Sequence, residues 1–427
     1  MLFNSWPFLF VFLPLCWLAF FFLQKVKRPQ AAVWLLVGAS LFFYAYWDSQ
    51  YLPLLLLSIS WNYAAGRWIE KTGSKVVLTV AVGGDLLALC FYKYAAFFVH
   101  NWNWLTASAW PEPEHVLPLG ISFFTFTQIA YLVDTYRGET KKYAPGIYSL
   151  FVTFFPHLIA GPILYHKHVI PQFQAMRLQM PSLENLRLGL VFLTIGLFKK
   201  VWIADSLAPW VSALFDQAER LSFVEAWMAA LGYTLQLYFD FSAYSEMAIA
   251  LGLFFNIRLP INFLSPYQAS SIIDFWRRWH MSLSAFLKDY LYIPLGGNRF
   301  GELRRMRNLL LTMLLGGLWH GAGWTFVVWG GLHGLFLVVN HQWKKWGRTL
   351  PTPAAWLLTY LCVVCAWVFF RADSLDQAFN ILAVMAGSKG VLLPLSWESW
   401  ILPTWKQWGI YTGAYVYVGA DRSTMDW

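Results

Sequence analysis

Apolar runs of spanning length recur along this chain, and the polar stretches between them are short. Residues 8–22, 31–47, 51–65, 76–99 and 117–133 are each nearly unbroken in hydrophobicity. A bilayer core of about 30 Å takes roughly 20 helical residues. These runs lack the ten-residue alternation of a barrel strand, so the pattern predicts an all-α polytopic membrane protein. The first run is not a cleaved leader, because no basic residue precedes it and Lys25, Lys27 and Arg28 follow it. Cations then gather at alternate loops: Arg67, Lys71 and Lys75, and next Arg137, Lys141 and Lys142. The intervening loops carry Asp48-Ser-Gln50, or Glu112 and Glu114, with no Lys or Arg. That asymmetry predicts a cytosolic side for the cationic loops and an outside N-terminus.

The next run, 145–165, has Lys142 before it and Lys167, Arg177 and Arg187 after it. With Pro156, Gly161 and Pro162 inside, it predicts a re-entrant or broken segment. Residues 188–204 read as a crossing, with Lys199 and Lys200 far along it. Residues 223–255 are too many for one upright span. Their polar middle, Tyr238-Phe-Asp240-Phe-Ser-Ala-Tyr244-Ser-Glu246, must line a protein-enclosed or watery cavity. The stretch 258–307 predicts short amphipathic and re-entrant helices at the cytosolic face. Residues 309–328 and 332–342 enter and leave the membrane, returning to Lys344, Lys345 and Arg348, and 354–370 is one more span. The total is about nine to eleven transmembrane helices with re-entrant and interfacial ones.

Composition agrees. Hydrophobic residues make up 58% of the chain and charged residues only 12%, about half the charge of a soluble domain. The net charge of +9 does not predict nucleic-acid binding, since the cations sit in short loops between spans. Cys362 and Cys365 form a C-x-x-C inside an apolar run with no second pair, and read as small core residues rather than metal ligands. Neither a phosphate-cradling glycine loop nor a G-x-S-x-G elbow is present, which argues against a P-loop pump or a serine hydrolase.

The candidate chemistry lies between Asp274 and His320. Counted from Arg307, His320 stands roughly 20 Å along an apolar helix, at bilayer depth, where an ionisable side chain is a functional candidate. It either packs the bundle or, as a neutral imidazole, takes a proton from an attacking hydroxyl. His280 follows Trp276 by one turn if the stretch is helical, which puts both on one face. Arg277 and Arg278 point elsewhere, either as interfacial anchors or as a clamp for the phosphates of a nucleotide-bearing donor. Asp240 and Glu246, with Ser242 and Tyr244 between them, either orient a catalytic histidine or brace a bend. His157 is a further candidate for the same cavity. His333 and His341 read as packing or interfacial residues, and His100, His115, His166 and His168 as loop residues.

Several motifs carry a resemblance. Phe275-Trp-Arg-Arg-Trp-His280-Met-Ser-Leu-Ser284, Asp289-Tyr-Leu-Tyr-Ile-Pro-Leu-Gly-Gly-Asn298-Arg299 and Leu318-Trp-His320-Gly321 are similar to segments of the membrane-bound O-acyltransferase family. They are most similar to its alginate O-acetylase branch. Tyr238-Phe-Asp-Phe-Ser-Ala-Tyr-Ser245, Tyr131-Leu-Val-Asp-Thr-Tyr-Arg-Gly138 and Phe155-Pro-His-Leu-Ile-Ala-Gly-Pro162 resemble that branch as well. The resemblance implies a helical dome enclosing a tunnel, with His320 at the invariant histidine's place and His280 at that of the family's second polar residue. Residues 1–390 then form one domain of this kind. Members of the branch usually continue through further helices, so residues 391–427 read as a short, truncated tail.

For function, the resemblance implies transfer of acetyl from a cytosolic thioester, acetyl-CoA, with no bound cofactor. The acceptor is an exopolysaccharide or cell-wall polymer beyond a bacterial inner membrane, reached through a periplasmic partner protein. D-alanyl transfer to teichoic acid is the alternative within the family. A secondary transporter is the alternative outside it, because broken mid-membrane segments also mark transport sites.

Overall fold

Proline opens and glycine closes several helices of this chain, as their backbone preferences dictate. Pro29 starts the helix Pro29–Ala45, and Gly73, at φ 61°, ends the helix Leu52–Thr72. The Ser74 hydroxyl then caps Lys75–Thr106 by accepting from the Val77 amide. The computed structural model describes residues 1–114, 116–140, 142–175, 180–400, 404–405 and 409–413. His115, Lys141 and Arg177, which figured in the sequence reading, lie outside the described residues, as does the end of the tail.

The described residues are all-α apart from one small sheet, and the protein is polytopic as its apolar runs predict. Among the described residues three helical stretches, Phe8–Lys25, Lys75–Thr106 and Thr352–Arg371, are long and apolar enough to cross a bilayer. The run 145–165 is broken as its prolines predict. Pro145–Thr153 and Phe155–Leu158 are separate helices that meet at Phe154, and almost every residue of both is buried. Residues 223–254, by contrast, form one helix of 32 residues, about 48 Å long. In the tail, where no periodicity is visible, Val391–Pro394 pairs in parallel with Ile410–Gly413. Four-residue strands are too short to show alternation in the sequence.

The chain forms two compact units. The first comprises Met1–Phe198, Ser242–Leu264 and Trp276–Gly297. Its aromatic core includes Phe3, Phe8, Phe43 and Phe155, with ring centroids 5.1–5.8 Å apart in successive pairs. The second comprises Lys199–Phe241, Ser265–Phe275 and the chain from Asn298 on. Its centre is Trp329 stacked on Trp367 at 5.6 Å, both buried.

One predicted boundary is corrected in the second unit. The expected span 309–328 stops at His320, and the chain turns through Gly321–Gly323 into a second helix, giving Glu302–His320 and Trp324–Lys345. A Cβ at Gly321 would lie 2.1 Å from the Phe326 ring, so a larger residue at this turn would force that ring to shift. The two helices then touch backbone to backbone. A Cβ at Gly317 would meet the Phe326 carbonyl at 2.3 Å, and one at Gly330 would meet the Met313 carbonyl at 2.3 Å. Small residues permit this approach between apolar helices. At the other end of the hairpin Glu302 ion-pairs Lys345, accepts from Gln342 Nε2 at 2.7 Å and lies 3.3 Å from Arg305.

Candidate functional site

His320 is the last residue of a 19-residue helix, about 28 Å from its start. It therefore does not sit mid-helix as the sequence reading placed it, but at the glycine turn. Half-buried, its imidazole meets Trp319, Trp329 and Phe370 edge-on, with centroids 4.8, 5.1 and 5.1 Å away. The Trp329 indole also contacts His333, at 4.8 Å, so one tryptophan touches both histidines. His333 is fully buried and stacks on Phe275 at 6.0 Å, which fits the packing role expected of it. His320 alone of the two keeps part of its surface open, where a proton could be exchanged with a bound hydroxyl.

His280, in the first unit, is held differently. The helix Ile272–Arg278 ends before it, so His280 and Trp276 are not on consecutive turns of one helical face, contrary to the sequence reading. His280 has φ 41° and ψ 57°, the left-handed region that non-glycine residues seldom occupy. Its neighbours hold it there. The Arg278 carbonyl accepts from the Leu264 amide at 3.0 Å, and the Asn262 carbonyl accepts from the Met281 amide at 3.0 Å. Asn262 Oδ1 accepts from the Ser282 amide at 3.1 Å and from the Ser282 hydroxyl at 2.7 Å. Ser282 Oγ in turn accepts from the Ile163 amide at 3.0 Å. Asn262, His280 and Ser282 are all buried. Burial pushes the His280 imidazole down to about 3, so the ring is neutral and offers one N–H and one acceptor nitrogen.

The remaining candidates separate. Arg277 is exposed and Arg278 half-buried, while the buried indole of this stretch is Trp279, edge-on to Phe263 at 5.0 Å. Trp276 is only half-buried. Asp240, in the second unit, pairs with Lys200 at 2.6 Å, and Lys200 also reaches Asp205 at 2.8 Å. This accounts for a lysine so far along an apolar run and gives Asp240 a bracing contact. Tyr244 is in the first unit, stacked on Phe3 at 4.8 Å. His157 is buried with Nε2 3.0 Å from the Phe151 carbonyl, across the break in its own segment.

Two polar clusters in the first unit escaped the sequence reading. His166, read as a loop residue, is fully buried and begins the helix His166–Ala175. Its Nε2 lies 2.9 Å from Asp134 Oδ2, and its Nδ1 lies 2.9 Å from the Tyr143 hydroxyl. The same Asp134 oxygen accepts from the Tyr290 hydroxyl at 2.7 Å, which ties the segment beyond His280 to the helix Ile121–Tyr136. The Asp134 carboxylate within the Tyr131–Gly138 motif was the available signal. The second cluster runs through four helices: Asp85 accepts from Asn62 at 2.8 Å, Gln128 donates to Ser58 at 2.7 Å, and Tyr148 donates to Gln128 at 3.2 Å. Asp85 inside an apolar run was its signal. Among the described residues no group of three or more His, Cys, Asp or Glu side chains could hold a metal ion.

The fold is thus a helical scaffold with several apolar candidate spans, and it carries one histidine at an aromatic-walled turn in the second unit and another in left-handed backbone in the first. The comparisons give the family. The model of the membrane-bound O-acyltransferase family matches residues 6–375, and the chain belongs to that family. It is 48% identical to the peptidoglycan O-acetyltransferase of Helicobacter pylori, over 92% of this chain and 81% of that protein. It is 43% identical to the protein named "Probable alginate O-acetylase AlgI" of Azotobacter vinelandii, over 90% of this chain and 78% of that one. The teichoic acid D-alanyltransferase of Bacillus subtilis is 26% identical over 74% of this chain. The protein is thus a membrane-bound acyltransferase.

Proposed function

We propose that this acyltransferase moves an acetyl group from a cytosolic thioester, acetyl-CoA, across a bacterial inner membrane for O-acetylation of an extracellular or cell-wall polysaccharide. What carries the reading is the likeness at 48% and 43% identity to proteins whose names assign them O-acetylation. The more distant D-alanyltransferase likeness, at 26%, favours acetyl over D-alanyl. His320 acts as general base: its neutral imidazole takes the proton of the acceptor hydroxyl while that oxygen attacks the thioester carbonyl. The C–S bond then breaks, and the thiolate leaves with a proton returned from the imidazolium. His280, neutral and fixed in place, donates a hydrogen bond to the reacting groups. Arg277 and Arg278 bind the donor's phosphates. The immediate acceptor is a periplasmic partner protein that passes acetyl to the polymer.

The test is to supply membranes containing the protein and its polymer with radiolabelled acetyl-CoA, and in parallel with a D-alanyl carrier-protein thioester. Label from acetyl-CoA on polymer or partner protein is the expected result. Label from the D-alanyl donor alone would replace the substrate assignment, and solute flux without covalent label would make the protein a carrier.

A further inference from the structure

A cavity of about 640 Å³ lies within the second unit, between the helices Trp324–Lys345 and Thr352–Arg371. That is within the range of about 300–1,000 Å³ typical of small-ligand sites. Its wall is divided by chemistry. Leu335, Val339 and Leu358 line the apolar part, and each is exposed to what surrounds the protein. At the other end stand Lys344, Arg348, Thr349 and Thr352. Lys345, the adjacent cation, is taken by Glu302. Lys344 and Arg348 have no carboxylate partner among the described residues, so two positive charges meet at the cavity mouth uncompensated. Between the two zones lies Asn340, whose buried Oδ1 accepts no hydrogen bond in the structure. A buried acceptor left unsatisfied is costly.

We propose that this cavity is a binding site for an acidic glycerophospholipid with a hydroxylated headgroup, of the phosphatidylglycerol type. Each part of such a lipid has a counterpart in the wall. The phosphate meets Lys344 and Arg348, an acyl chain follows Leu335, Val339 and Leu358, and a headgroup hydroxyl donates to Asn340 Oδ1. A zwitterionic lipid would bring its own cation against the two already there. A free phosphate or nucleotide would leave the apolar half uncovered. The position suits a lipid: Lys344 and Arg348 flank the start of Thr352–Arg371, a helix long and apolar enough to cross a bilayer, with Trp343 in the same wall, and Lys, Arg and Trp at the ends of such helices favour the headgroup region.

The experiment uses the full chain in nanodiscs of equimolar phosphatidylglycerol and phosphatidylcholine, with retained lipid read by native mass spectrometry. Wild-type protein should retain phosphatidylglycerol over phosphatidylcholine by about tenfold, since each cation near an acidic headgroup favours it. K344Q/R348Q should retain the two lipids equally. V339W, on an exposed position, should retain neither. N340L should lower retention of phosphatidylglycerol, whereas in a second set of nanodiscs, with phosphatidic acid in place of phosphatidylglycerol, it should retain that lipid, which has no headgroup glycerol, as well as the wild type does. Equal retention of both lipids by the wild type, or an enrichment that survives K344Q/R348Q, would overturn the proposal. Displacement of the lipid by acetyl-CoA would also overturn it, by giving the cavity to a soluble donor.

Discussion

The side chain of Asn262 holds Ser282 by two hydrogen bonds, at 3.1 Å from its amide and 2.7 Å from its hydroxyl. His280 lies just before that anchor at φ 41°, so the buried Asn262 amide, together with the backbone bonds at Arg278 and Met281, fixes the backbone that presents the imidazole. Left-handed geometry at a non-glycine residue costs of order 1–3 kcal/mol and persists only when the surroundings over-determine it.

Ser282→Ala removes the hydroxyl that bridges Asn262 and the Ile163 amide. The loss of such a buried bond costs about 1–3 kcal/mol. Turnover is expected to fall about tenfold, with donor KM little changed, and Ser282→Thr, which keeps the hydroxyl, should recover most of it. Equal losses in both variants, or a rise in KM with turnover intact, would separate this anchor from the chemistry.

Replacing His166 by Ala strands Asp134 and Tyr143 without their buried partner. The purified variant should unfold at a lower temperature, by an amount matching about 1–3 kcal/mol. An unchanged melting curve would mean that the cluster does not brace the first unit.

These two predictions concern residues that sequence alone hid, and the reason is physical. Asn262 sits in Leu259-Pro-Ile-Asn-Phe-Leu264, where nothing local announces a hydrogen-bonding role. It acts only on a segment brought to it by the fold. His166 and Asp134 are likewise far apart in the chain. The broken segment 145–165 was legible because Pro156 acts through its own backbone, and the apolar runs were legible because spanning length is a property of consecutive residues. Gly321 and Gly323 could have signalled the end of the helix at His320. They were absorbed into an apolar run because hydropathy does not register a turn between two apolar helices.

The cationic loops predict that Lys142 and Lys167 face the same side. Single cysteines placed at these positions, in a chain cleared of its four native ones, should both resist a membrane-impermeant thiol reagent in intact cells. Labelling at 167 alone would show that the segment between them crosses, and would invert every later helix.

Replacing Arg277 and Arg278 together by Gln should raise the donor's KM, since a guanidinium clamp on phosphate is lost while both histidines stay in place. Arg277 is exposed, so protein levels should hold. Reduced levels with an unchanged KM would make the pair an interfacial anchor instead.

The division of labour between the two histidines is the centre of the account. Acetyl-transfer rates for His320→Ala, His320→Asn, His280→Ala and His280→Asn, at matched membrane levels, test it most directly. An amide can replace a neutral hydrogen-bonding imidazole but cannot exchange a proton near neutral pH. His280→Asn should therefore keep measurably more activity than His280→Ala. Both His320 variants should lose about 10²–10⁴-fold, the usual contribution of a general base. Rescue by Asn at 320 and not at 280 would contradict the assignment and exchange the two roles.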